Sequence, residues 1–462
     1  MTSDWKPLIQ KNEKPLYMAL VRVLSEDIAG GRLPKGCRLP TQRELADELK
    51  IAIGTVTRAY YEAEKRGLVY GDGRRGTFVG EMPRPRSLLA TLAETITVGI
   101  DLSKNHPAHR LDPDLSAALH QIARWPECPQ LLMYPSPQGL LPHRRAGAKW
   151  LKTLGLKVEP DNVFVSGGAQ HGLLAVFAAA ARPGSIVASE EYTYPGAKAV
   201  AAMLGLQHIG IPMDQEGIIP DALESVCRHK DIRLLYCNPS LQNPTNAVMS
   251  LERRQQIAMI AREHNICVVE DEILSPLLDE RPGFIAGIIP EQCYLVISVS
   301  KSVAAGLRVG FIAAPSHAQQ KLADSLQTSN LGQPPLMAEI FTRWLEDGTV
   351  EKTIARRKHE LAWSQQTACE VLKDFKVRSH PSSYHIWLEL PDAWTGPKFT
   401  TEAQMRGVAV TPAEIFAVDQ KSSIDAVRLS LGGAPDRAHL KAGLEILADI
   451  LSGSKRQEIA TV

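Results

Sequence analysis

Cysteine is sparse and unpatterned in this chain. There are seven, an odd number, and no two form a Cys-x-x-Cys pair. That argues against a disulfide framework and leaves no zinc-ligand spacing to read. Unpaired thiols fit a reducing compartment. No apolar run approaches the roughly 20 residues of a membrane span. The first residues, MTSDWKPLIQKNEKP, lack the apolar stretch of a signal peptide. The expectation is a soluble, cytoplasmic protein with no membrane partner. Low-complexity tracts and internal repeats are also missing. A net excess of either charge sign is nearly absent, at +1, but the charge is unevenly spread. Residues 1–80 hold 14 Lys and Arg against 10 Asp and Glu, whereas the remainder holds 38 against 41. A basic end on a near-neutral body hints at nucleic-acid contact at that end. At 462 residues the chain is too long for one ordinary core, so two or three domains are expected.

Three short helices are expected between residues 15 and 66. The first, PLYMALVRVLSEDIAGG, has a proline at its start and a Gly-Gly stop. The second, TQRELADEL, opens on Thr41 with Glu44 three residues later, a capping-box spacing. After the break KIAIG, a third runs through TVTRAYYEAEKRG to Gly67. Two short strand-like pieces then flank a Gly-Arg turn in LVYGDGRRGTFV. This layout, over residues 12–79, resembles the winged helix-turn-helix of GntR-family bacterial regulators. The resemblance implies that double-stranded operator DNA is a partner and that the third helix enters the major groove. Carried onto this sequence, the DNA contacts would be Arg43, Thr55, Arg58 and the wing residues Arg74, Arg75 and Gly76. Two departures concern base reading. Ala52-Ile53 stands where family members often have Ser-Arg, and Thr57 stands where a further arginine is common. Guanine contact of the usual arginine type is therefore weakened.

Residues 80–98, rich in Pro and Arg before a weak helical pattern, read as a linker. From residue 99 to 452, apolar runs alternate with helical stretches. NVFVSGG, SIVASE, HIGIPM, RLLYCNP, ICVVEDE, YLVISVS and VGFIAAP are near-continuous apolar strands, the pattern of a buried, largely parallel sheet. YHIWLELP and AVRLSL suggest a smaller α+β lobe at the C-terminus, and SGSKRQEIATV reads as a frayed tail.

One lysine stands out in VISVSKSVAAGLRVG. Lys301 lies at the end of an apolar strand, where lysine is rarely buried unless paired or reacting. SVSK with Arg308 seven residues on resembles the lysine loop of fold-type I aminotransferases. The cofactor that this implies is pyridoxal 5'-phosphate (PLP), which takes a lysine for its Schiff base, a carboxylate for its ring nitrogen and a cradle for its phosphate. The resemblance places Lys301 at the Schiff base and Asp271 of VVEDE on the ring nitrogen. It places Gly168, Ala169 and Gln170 of SGGAQ, with Ser298 and Arg308, around the phosphate. Asn243 of QNPTN would bond the ring oxygen and Tyr194 of EYTYPGA would stack on the ring. Tyr134 of YPSPQG would reach the phosphate of a neighbouring subunit, and Arg428 of VRLSL would grip a ligand carboxylate. Leu274 occupies the place of a tyrosine that bonds the ring oxygen in aminotransferases, which tells against an efficient transaminase. Ala305 replaces a common proline, and Ser382-Ser383 a usual Gly-Gly.

A GntR-type head on such a body resembles the MocR subfamily of regulators over nearly the whole chain. The resemblance implies a homodimer and transcriptional control by a small amino compound, or by PLP itself, acting through Lys301. The alternative is an active aminotransferase whose DNA-binding domain is secondary.

Overall fold

The computed structural model describes residues 5–7, 15–34, 36–65, 68–71, 76–80, 99–419 and 424–459. The expected linker and the wing residues Arg74 and Arg75 lie outside these. The chain forms two compact units, Met1–Thr91 and Leu92–Val462.

In the first unit three helices, α1 (Leu16–Ala29), α2 (Gln42–Leu49) and α3 (Ile53–Lys65), precede an antiparallel hairpin of β1 (Val69–Gly71) and β2 (Thr77–Val79). The capping box at α2 forms as the Thr41/Glu44 spacing requires. Glu44 N–H donates to Thr41 Oγ1 at 3.3 Å, and Thr41 N–H donates to Glu44 Oε2 at 2.8 Å. Helix α3 begins two residues before the expected Thr55, because the Ala52 carbonyl already accepts from Thr55 N–H. Val56, Ala59, Tyr60 and Ala63 recur at helical spacing and are buried against Leu20, Val21 and Leu24 of α1.

The second unit is built on a seven-stranded sheet. Its strands are β4 (Val163–Ser166), β5 (Ile186–Glu190), β6 (Gln207–Ile211), β7 (Ile232–Cys237), β8 (Cys267–Asp271), β9 (Cys293–Ser298) and β10 (Gly310–Ala313). Their spatial order is β4-β10-β9-β8-β7-β5-β6. Only β10 runs against its neighbours. The short stretch from Ser298 to Gly310 cannot make the crossover that a parallel partner would need. Apolar side chains from alternate strand positions fill separate cores on the two faces of the sheet.

The C-terminal lobe is a four-stranded antiparallel sheet that includes β11 (His385–Glu389) and β12 (Ala426–Ser430). It is flanked by long helices at Thr349–Val371 and Arg437–Ile459. The expected frayed tail is instead a continuation of the last helix to Ile459. Beside this lobe, β3 (Ile100–Asp101) pairs in parallel with Val408–Ala409.

Candidate functional site

The sheet register brings the phosphate cradle together. Because β10 is antiparallel, its first residue lies at the C-terminal edge of the parallel strands, where ligands bind in such folds. Gly310 therefore pairs with both Ser298 of β9 and Ser166 of β4. That alignment sets Arg308 beside the Gly167-Gly168 turn and the N-terminus of α4 (Ala169–Ala180). Arg308, in the left-handed region at φ 51°, donates to Ser300 Oγ at 3.2 Å and to the Gly167 carbonyl at 3.2 Å. The Ser298 and Ser300 hydroxyls lie 3.0 Å apart. Gly168 is required here: its φ is +86°, and a Cβ would stand 2.7 Å from Arg308 Nη2. Hydroxyls, a guanidinium and a helix N-terminus thus face one small region, the donor set that an anion wants.

Asp271 closes β8 and is buried. Tyr236 donates its phenol to Asp271 Oδ2 at 2.8 Å, and Ile273 N–H reaches Oδ1 at 3.3 Å. Burial nevertheless pushes the Asp271 carboxyl up to about 6, against the lowering effect of the Tyr236 hydrogen bond. Asn238 ties this strand end to the next loop: its amide donates to the Asp271 carbonyl at 2.6 Å, and its Oδ1 accepts from Asn243 N–H at 2.9 Å. The buried Glu190 carboxylate in turn accepts from Asn238 N–H at 2.8 Å. Burial pushes Glu190 up to about 7.

Lys301 donates to the Asn105 carbonyl. Burial, with the positive charges of Arg428 and Arg308, pulls its amine down to about 8. Tyr384 donates to the Lys301 carbonyl at 2.7 Å. Arg428, on β12, donates to Asn243 Oδ1 at 3.1 Å and to the Ser103 carbonyl, and its guanidinium lies 4.9 Å over the Phe416 ring. Its Nε is buried without a partner among the described residues. Burial pulls this arginine down to about 10. Tyr194 is pushed up to about 12 by burial and the negative charge of Asp271, with Arg308 and Arg428 opposing. His385 is pulled down to about 3 by burial and stays neutral, accepting from the Asn105 amide at 3.3 Å and donating to the Gln242 carbonyl at 3.2 Å.

The chain thus collects Gly168, Ala169, Gln170, Tyr194, Asn243, Asp271, Ser298, Lys301, Arg308 and Arg428 at one edge of the sheet. Tyr134 is apart from them, 87% exposed on a loop. Leu274 is buried with Leu241, Leu277, Leu278, Leu361 and Tyr384, so an apolar cluster surrounds the position where aminotransferases usually carry a tyrosine. Sequence reading missed Ser300, Tyr236, Asn238, Asn105 and Ser103. Ser300 was findable, since it immediately precedes Lys301. The others carried no local signal: Tyr236 and Asn238 lie in a run read simply as an apolar strand.

On the first unit, Arg43 and Arg58 are exposed and Thr55 is half-buried. The Arg58 guanidinium sits 4.3 Å over the Tyr17 ring. Gly76, at φ +112°, lies against Arg38, whose Nε would be 2.8 Å from a Cβ there. Arg38 was not foreseen; its β-bridge to Phe78 is what carries it to the wing.

A winged helix-turn-helix joined to a fold-type I PLP body defines the class of a cofactor-dependent transcriptional regulator. The comparisons agree. Residues 16–79 match the bacterial regulatory proteins of the gntR family, and residues 97–447 match aminotransferase class I and II. The chain is 30% identical over 449 residues to the HTH-type transcriptional regulator YdeF of Bacillus subtilis, covering 97% of each. It is 29% identical over 332 residues to a 2-aminoadipate transaminase of Thermus thermophilus, covering 70% of this chain and 82% of the other. Among solved structures, the α-aminoadipate aminotransferase LysN of Thermus thermophilus superposes with a TM-score of 0.71 at 26% identity, over 79% of this chain and 95% of LysN. A kynurenine aminotransferase of Pyrococcus horikoshii, at 24% identity over 81% of this chain and 95% of its own, shares the fold with a TM-score of 0.73. The chain belongs to the MocR-like regulators, in which a GntR-type head is fused to an aminotransferase class I and II body. Its cofactor is PLP. The residues present fit that group: Gly168 leaves room against Arg308 that a Cβ would fill, and at the same sheet edge the buried Asp271 closes β8 and Lys301 follows β9. Among the described residues, no helix is long and apolar enough to cross a membrane.

Proposed function

We propose that this regulator works in the cytoplasm as a homodimer on double-stranded operator DNA, with its affinity set by a small amino compound at the Lys301 site. When bound, PLP supplies an aldehyde that captures amines and an electron-withdrawing ring. Ser298, Ser300, Arg308 and the N-terminus of α4 would hold its phosphate. Asp271 would keep the ring nitrogen protonated, and the Asn243 amide, whose Oδ1 is already engaged by Arg428, would donate to the ring oxygen. Tyr194 would cover the ring face, and Tyr134 would reach the partner's cofactor.

The observation that carries the switch is the placing of Ser103 and Asn105. Their carbonyls accept from Arg428 and Lys301, the two side chains that an amino acid would engage. An effector carboxylate on Arg428 competes with the Ser103 carbonyl, and Ser103 lies in sequence shortly after residues 80–98, read as the linker. A ligand shifts the equilibrium only by binding the two arrangements unequally, and this competition supplies the difference.

The test is a footprint on DNA flanking the gene, with and without PLP and then with a panel of amino acids. A discrete protected site that changes with an amino acid supports the reading. Arg428→Ala should abolish that change while leaving PLP bound; a response that survives places the carboxylate elsewhere. PLP alone switching the footprint would make PLP the effector. Conversion of amino acids without any footprint would make the protein an aminotransferase.

A further inference from the structure

The first turns of α3 carry a strip of uncharged side chains where the helix would meet base edges. Ile53 and Thr57, four apart, flank the buried Val56 and Tyr60 and stay exposed, with Gly54 and Arg58 on the side away from the core. Ile53 is 46% exposed at the start of the helix, and Ala52, Gly54 and Thr57 are exposed around it. The nearby charge is turned away, since the Arg58 guanidinium lies over the Tyr17 ring of α1. The Thr57 hydroxyl is 2.8 Å from Gln42 Oε1 and 3.0 Å from the Ile53 carbonyl. Both are acceptors, so its one proton is committed inside the domain. Gly54 has no packing reason to be glycine, because a Cβ there would meet nothing within 4 Å. Its bare backbone lets the helix approach a groove closely. Arg38 by the wing and Arg43 on α2 supply positive charge around this face, which suits a phosphate backbone on either side of it.

Resting on the reading of α3 as the recognition helix, we propose that Ile53 and Thr57 read thymine methyl groups, so that the operator carries A·T pairs under the first turns of α3. The C5-methyl of thymine is the one apolar group on a major-groove base edge. Packing Ile53 on it buries two apolar surfaces. Packing Ile53 on the acceptors of guanine or the amino group of cytosine would strip those groups of water without replacing a hydrogen bond. The specificity is that of shape and apolar contact, with the arginines confined to the backbone.

The experiment selects duplexes from a random pool with the full-length protein and then replaces single thymines in one half-site by deoxyuridine. This substitution removes a methyl and leaves every hydrogen bond in place. The expected result is a loss of about fourfold at one or two positions, the worth of one buried methylene-sized group. Ile53→Ala should bind thymine and deoxyuridine equally at one of them, and Thr57→Ser, which keeps the hydroxyl, at the other. Both variants should retain the salt dependence of the wild type. Equal binding of the two bases by wild type, or a selected G·C pair at those positions, overturns the assignment. Failure to select any duplex would overturn the underlying reading of α3 instead, and Arg58→Ala separates the two because it should weaken binding to every sequence alike.

Discussion

The two units hold their functional groups in opposite ways. In the PLP body, Glu190, Tyr236, Asn238, Asn243 and Asp271 are buried and tied to one another. Glu190 holds Asn238, Asn238 holds both Asp271 and the Asn243 loop, and Tyr236 caps the Asp271 carboxylate. In the head, Arg43, Ile53, Thr57 and Arg58, on the face proposed to meet DNA, are exposed, and the helix beneath them is packed. A substitution in the body therefore moves energies and spectra together. A substitution on the face of α3 should move DNA affinity alone.

The sharpest break of this contrast is Lys301→Ala. It should abolish covalent attachment of PLP and the visible absorption that comes with it, while the head keeps its DNA affinity in the absence of PLP. An unchanged absorption band would show that another lysine is the attachment point. Next comes Arg254, fully buried with Glu270 at 3.2 Å and Glu272 at 2.9 Å. Arg254→Ala leaves two carboxylates in the interior, and burial with Glu272 already pushes Glu270 up to about 8. The body should lose about 3–5 kcal/mol in chemical denaturation. A loss confined to a few tenths would mean that the site relaxes around the deletion.

A pH series sharpens the comparison further. The amine of Lys301 must be neutral to attack an aldehyde, and it is pulled down to about 8. The rate of PLP capture should rise with pH through about 8 and level off above it. A rise that continues toward the ordinary lysine range, above 10, would show that burial and the two arginines do not act on this amine. The smallest effect belongs to the head: Thr41→Ala removes the hydroxyl that caps α2 and should cost about 1 kcal/mol in the head's own unfolding transition. The body's transition should not move.

The motifs of the body were legible because each is short and the backbone determines its geometry. SGGAQ gives a strand-to-helix turn, VVEDE a strand end and SVSK a strand leaving into a loop. The capping box of α2 was legible for the same reason, since Thr41 and Glu44 are three residues apart. The start of α3 was misjudged by two residues because helix ends carry little signal of their own. The continuation of the last helix past residue 452 was missed because SGSKRQEI is polar and holds a glycine that the helix tolerates.

Alone, the sequence determined the two-unit plan, the alternation of strands and helices, and the order of Gly168, Asn243, Asp271, Lys301, Arg308 and Arg428 along the chain. These follow from hydrophobic period and turn chemistry, which act over a few residues. Tertiary structure alone decided that Asn105 meets Lys301 across 196 positions, that Ser103 meets Arg428 across 325, and that Asn238 joins Asp271 across 33. It also decided that Leu274 is filled in by leucines and that Arg38 stands beside Gly76. Such contacts depend on which strand edges the sheet order brings together, and no local pattern encodes that order.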